Sequence, residues 1–119
     1  MVALTRLKRR AEFLRVAAAR RKWVAPGLIL QAVPATESAA APEPRIGFTA
    51  SRKVGGAVVR NRARRRLRAA VANVMPLHAA AGHDYVLIAR AGTLRRAYAD
   101  LIGDLETGLR RLGLWRDGR

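Results

Sequence analysis

A single-domain α+β sandwich is the fold this 119-residue sequence predicts, and three observations predict it. Helix-period and strand-period patterns follow one another in the order helix, three strands, helix, strand, helix. The length suits one core, because two half-length cores would each bury too little surface. There is no cysteine, so no disulfide framework, zinc ribbon or thiol nucleophile is available. The core must be modest: apolar types make up 50% of the chain, but 24 of those residues are alanine.

The first helix is predicted over residues 6–19, where Leu7, Ala11, Leu14 and Ala18, with Phe13, Val16 and Ala17, keep helical spacing uninterrupted by proline. Pro26-Gly27 breaks the chain. A short strand at Trp23-Val24 precedes it, and a longer one follows over residues 28–33. Residues 34–44 form a Pro/Ala/Glu-rich loop expected to be mobile and without function. Over residues 45–51, Ile46, Phe48 and Ala50 alternate with Arg45, Gly47, Thr49 and Ser51, the period of a strand. Residues 57–74 place Val59, Ala63, Leu67, Ala70, Val71 and Val74 on one helical stripe; Met75-Pro76 is expected to end that helix. The run 85–89 reads as a strand covered on both sides. A last helix over 95–112 buries Tyr98, Leu101, Ile102, Leu105, Leu109 and Leu112, leaving 113–119 as a tail.

The chain carries 24 Lys+Arg against 8 Asp+Glu, a net charge of +16. Two blocks supply all of the excess. Residues 1–22 carry +7, and residues 45–68 carry +9 without a single acid. Such blocks repel themselves in the compact state, so a polyanionic partner is expected. No run reaches the roughly 18 apolar residues of a membrane span, and Met1–Arg10 has no signal-peptide apolar stretch, which points to a cytoplasmic protein with no membrane partner.

Hydrolysis of a polyanionic substrate by the protein itself would require general acid–base residues or carboxylates that hold metal ions. Candidates are few. His78 and His83 lie in a predicted loop with only Asp84 nearby and read as surface residues. Asp100, Asp104 and Glu106 share the last helix with Arg96, Arg110 and Arg111, where solvated pairing is the expected role. No catalytic residue and no metal ligand is assigned.

From Lys53 to Arg68 the sequence joins a Gly55-Gly56 turn, a helix N-terminus that favours phosphate, and six arginines within residues 60–68. Asn61, Arg62, Arg65 and Arg68 project away from the apolar stripe, with Arg64 and Arg66 flanking it. A same-sign run on one helix is destabilising by itself, so a phosphate-bearing partner is the better explanation of it.

These residues carry a resemblance. The stretch Arg45-Ile46-Gly47-Phe48-Thr49-Ala50-Ser51-Arg52-Lys53-Val54-Gly55, followed by Ala57-Val58-Val59-Arg60-Asn61-Arg62, resembles the bacterial ribonuclease P protein component, whose Arg-Asn-Arg signature stands here as Arg60-Asn61-Arg62. Arg6-Leu7-Lys8 with Glu12-Phe13, and Asp84 to Arg90, are similar to the family's first helix and late strand. Only the 34–44 loop and the last few residues lie outside the resemblance.

The resemblance implies a ribosomal protein S5 domain 2-like fold with a left-handed strand–helix–strand crossover, the helix being 57–74. It implies that Arg52, Lys53, Arg60, Asn61, Arg62, Arg65, Arg66 and Arg68 contact ribonuclease P RNA. Phe13, Gln31, Thr49, Ser51 and Lys53 would line a cleft for the 5′ leader of precursor tRNA. The protein would be a subunit of a ribonucleoprotein endoribonuclease in which the RNA performs the cleavage with Mg2+, while the protein binds no cofactor of its own. Ala17, Gln31 and Ala63 depart from the family, the first two standing where aromatics are common. Aromatic stacking is worth about 1–3 kcal/mol per base, so leader binding here should lean more on cations and be more salt-sensitive.

Two other readings compete. A small basic ribosomal-type protein or RNA chaperone would share the charge but would not need this motif order. A DNA-binding module is disfavoured, since arginines on every side of a helix read phosphate rather than base edges.

Overall fold

The structure is a computed structural model that describes residues 4–35 and 43–118. In chain order it contains β1 (Thr5–Arg6), α1 (Arg10–Ala18), β2 (Lys22–Val24), β3 (Leu28–Pro34), β4 (Arg45–Thr49), α2 (Ala57–His78), β5 (His83–Ala89), a 3-10 turn (Ala91–Leu94) and α3 (Tyr98–Arg111). The five strands form one mixed sheet in the order β1-β4-β5-β3-β2. β4 and β5 are adjacent and parallel, with α2 crossing between them. Most of the predicted 34–44 loop, residues 36–42, lies outside the described residues.

One face of the sheet carries the core. Leu28, Leu30, Ala32, Ile46, Tyr85, Leu87 and Ala89 pack there against α2 and against Leu101, Leu105 and Leu109 of α3. A smaller cluster of Leu7, Val16 and Val86 seats α1 on the opposite face. β5 is therefore apolar on both sides because both sides are covered, as its unbroken apolar run predicts.

Several expected boundaries move. The first helix starts at Arg10 rather than residue 6, because Thr5 and Arg6 pair in parallel with Arg45 and Ile46 and add a strand. Within the helix itself Phe13 and Val16 face the sheet, joined by Leu7 ahead of it, whereas Leu14 is 54% exposed. The helix begins where the Glu12 carboxylate accepts the backbone N–H groups of Lys8 and Arg9. The strand read over 45–51 ends at Thr49. α2 runs past Pro76 to His78. Proline removes the bond to the Ala72 carbonyl, but Ala72 is exposed and water can take that acceptor. The last helix starts at Tyr98, which is 40% exposed rather than buried, and the 3-10 turn precedes it.

The predicted tail is docked in part. Leu114 is buried, Trp115 bridges to Ala79, and the Trp115 ring stacks on His78 with centroids 4.0 Å apart. His78 is thus the last residue of α2 rather than a loop residue, and its Nδ1 donates to the Arg116 carbonyl at 2.7 Å. Asp104 is also not a solvated surface acid. It is buried, accepts the Gly27 N–H at 3.0 Å and pairs with Arg96, tying α3 to the β2–β3 turn. A Cβ on Gly27 would lie 2.6 Å from that carboxylate and 2.8 Å from Leu101, so a larger residue in this turn would have to push both side chains aside. Trp23 packs over Gly108 of α3 with Arg111 above its ring, in keeping with an edge-packing role.

Candidate nucleic-acid interface

On the α1 face, strand register sets three rows of side chains across β3, β5 and β4. Val33, Asp84 and Arg45 form the first, Gln31, Val86 and Gly47 the second, and Ile29, Ile88 and Thr49 the third. α1 lies over the first two.

The first row is an ionic lock. Asp84, with no exposed surface, accepts Nε of Arg45 at 2.8 Å, a terminal nitrogen of Arg45 at 2.7 Å, and Arg15 of α1. Arg45 also reaches Glu12 at 2.7 Å, and Arg15 donates to the Pro34 carbonyl. Acids and bases as far apart in sequence as Arg15 and Asp84, 69 residues, thereby dock α1 on the sheet. Burial alone would push the Asp84 carboxyl up, but the bonds from Arg45 and Arg15 outweigh it and hold it below its ordinary value. The Arg9 and Lys8 N–H groups, with Arg45, lower Glu12 to about 2.

Both carboxyls bind protons more weakly in the folded chain than in the unfolded one. The stability Glu12 contributes is complete above its unfolded value near 4.5 and is lost as pH falls through about 2, and that of Asp84 is lost in the same direction as acid is added. Thermal unfolding in an acid series should show Tm falling below pH 4.5, with a smaller fall in Glu12→Gln. An identical acid response in that variant would remove Glu12 from the lock.

In the second row the Phe13 ring lies on Gly47. A Cβ there would stand 2.6 Å from the ring's Cζ, so the strand's glycine is what lets the aromatic settle onto the sheet. Phe13 stays half-exposed and, with Thr49, Lys8, Arg10 and Phe48, lines a groove of about 350 Å³. Ile29 and Ile88 of the third row are partly exposed beside it. Of the residues expected in a leader cleft, Phe13 and Thr49 share this groove. Gln31 lies one row over and two strands away from Thr49, while Ser51 and Lys53 sit exposed in the turn beyond β4. Lys8, Arg10, Ile29 and Ile88 were not foreseen: the two isoleucines sit in apolar strand runs where sequence gives no sign of which face is open.

The other side of the sheet carries α2. Asn61, Arg62, Arg65 and Arg68 are exposed along it, with Arg52 and Lys53 exposed in the preceding turn. Among the described residues none of these cations has an acidic partner. Arg64 bonds to Asn61. Arg66, expected at the RNA surface, is spent inside the fold: it donates to the Thr93, Leu94 and Arg96 carbonyls and holds the turn before α3. Arg60 is half-buried, and its Nε has no hydrogen-bond partner. Gly55, at φ +150, begins the turn into α2, and a Cβ there would meet Val59 at 2.7 Å.

Among the described residues no three His, Asp or Glu side chains converge as a metal site. Glu12, Asp84 and Asp104 are each already bonded to arginine. No helix among the described residues is long and apolar enough to cross a membrane.

The chain is similar to known proteins along nearly all its length. The family model described as Ribonuclease P matches residues 1–113. The ribonuclease P protein component of Paramagnetospirillum magneticum is 62% identical over 111 residues, covering 92% of this chain and 84% of that one. That of Gluconacetobacter diazotrophicus is 54% identical over 109 residues, covering 92% and 91%. Solved structures of the RNase P proteins of Staphylococcus aureus and Thermotoga maritima superpose with TM-scores of 0.75 and 0.70, covering 93% and 90% of this chain and 97% and 94% of theirs. Both are 22% identical to it and speak for the fold alone. With its Arg60-Asn61-Arg62 segment at the start of a crossover helix, a family model matching residues 1–113 and relatives more than half identical over 92% of its length, this chain belongs to the ribonuclease P protein component family.

Proposed function

We propose that this ribonuclease P subunit acts in the cytoplasm with two RNA surfaces on opposite sides of its sheet. The α2 row of Arg62, Arg65 and Arg68, with Asn61, Arg52, Lys53 and the half-buried Arg60, holds ribonuclease P RNA. The Phe13–Thr49 groove, flanked by Lys8 and Arg10 and continued by Ser51 and Lys53, holds the 5′ leader of precursor tRNA. The observation that carries this reading is the separation itself. An exposed arginine row without acids faces one way, and an aromatic-floored basic groove faces the other.

Phosphate contacts in the first surface position the RNA without reading sequence. In the second, the Phe13 ring offers a face on which one leader base stacks, while Lys8 and Arg10 neutralise its phosphates. In this reading phosphodiester hydrolysis belongs to the RNA and the magnesium ions it binds, and the protein's part is to position and to neutralise.

Reconstitution tests this. The protein should stimulate 5′ cleavage of precursor tRNA by bacterial ribonuclease P RNA at low magnesium, and failure to stimulate sinks the proposal. Phe13→Leu keeps the packing on Gly47 but removes the stacking face. It should weaken holoenzyme affinity for leader-bearing tRNA about tenfold and leave affinity for leaderless tRNA unchanged. Equal losses for both substrates would count against the groove.

A further inference from the structure

A second, smaller pocket opens between β1, β4 and α2. It has a volume of about 160 Å³, with Ile46, Phe48 and Val71 as its apolar floor and Arg6 and Arg68 at its rim. The Arg68 guanidinium already sits over the Phe48 ring, 5.7 Å from its centroid. We propose that this pocket receives one unpaired nucleobase of ribonuclease P RNA. The inference rests on the two-surface reading above and adds a site to it.

Size, charge and position select that occupant. Small-molecule sites start near 300 Å³, so this pocket has room for a single flat ring system and no more. No acidic residue lines it, and two arginines flank an aromatic floor. That arrangement suits a ring that stacks while its neighbouring phosphates are neutralised. A paired base has both faces covered by its own stack, so only a bulged or looped-out nucleotide can enter.

Arg68 and Ala72 belong to α2, the helix assigned to the catalytic RNA, whereas the leader groove lies across β4. Phe48 borders both cavities. An RNA held along the Arg62–Arg65–Arg68 row therefore reaches this pocket by continuing one turn along the same helix.

Ala72 is exposed at the pocket wall, so Ala72→Trp fills the space without disturbing the core, and Ala72→Ser serves as its control. The affinity of each full-length variant for ribonuclease P RNA is measured across a salt series, alongside Tm. Ala72→Trp should bind about tenfold more weakly, with unchanged salt slope and Tm, because a stacked base is lost and no phosphate contact is. Ala72→Ser should bind as the parent does.

Parental affinity in Ala72→Trp, the outcome if another part of this chain or nothing fills the pocket, overturns the proposal. So does a loss accompanied by a shallower salt slope, or one seen only for precursor tRNA in the assembled holoenzyme. In each of these cases the two-surface reading stands. If the parent itself fails to bind ribonuclease P RNA, both fall.

Discussion

Replacing Arg45 by methionine should destabilise the protein by about 3 kcal/mol, at the lower end of what an abandoned buried charge costs. Arg45 supplies two of the three side-chain bonds to Asp84, and Asp84 has no exposed surface. Without Arg45 the carboxylate stays buried against Arg15 alone. For a domain of this length the loss corresponds to a fall in Tm on the order of 10 °C, measurable by calorimetry at neutral pH. Adding Asp84→Leu to Arg45→Met should recover much of it, because an apolar pair asks for no desolvation. Since the lock docks α1, the single variant should also lose leader affinity, while its α2 surface remains intact. A change in stability below about 1 kcal/mol would mean that α1 is held by Leu7, Val16 and Phe13 rather than by charge.

Reversing Arg62 and Arg65 to glutamate should weaken binding to ribonuclease P RNA about a hundredfold at moderate salt and lower the salt slope by about 2. Both side chains are exposed, and among the described residues neither has a hydrogen-bond or salt-bridge partner, so their removal costs the fold little. Tm should hold or rise slightly, since the acid-free block repels itself less. Filter binding across a salt series reads both quantities. An unchanged slope would place the RNA elsewhere. Arg66→Glu should behave in the opposite way, losing stability first, because its guanidinium holds three carbonyls of the turn before α3.

Periodic features were legible in the sequence. The α2 stripe from Val59 to Val74, the alternation in β4 and the apolar run of β5 each reflect a local period that burial imposes on one short segment. The arginine row was legible for the same reason: residues three and four apart on a helix share a face whatever the rest of the chain does. Phe13 was found through family resemblance together with its place on the first helix.

What escaped the sequence is non-local. Thr5–Arg6 becomes a strand only because Arg45–Ile46 lies alongside, and two residues have no period to read. Tyr98 fits the buried stripe by spacing, yet it sits at the helix end where the partner surface has run out. In sequence Asp104 reads as a solvated partner of Arg96, and Arg66 looks like its neighbours. The Gly27 N–H on Asp104, the Arg15 bond to Asp84 and the carbonyls around Arg66 stand 27 to 77 residues away, and no local pattern announces them.

The sequence by itself determined the charge blocks, the acid-free arginine helix, the absence of a protein active site as an expectation, and the family. These are properties of composition and of short-range order. Only the tertiary structure decided which arginines are free to meet RNA and which are consumed by carbonyls and buried carboxylates. It also decided that Gly47 makes room for Phe13 and that Phe48 lies between two cavities. A guanidinium's role is set by which acceptors come within about 3 Å of it, and that depends on how distant segments pack.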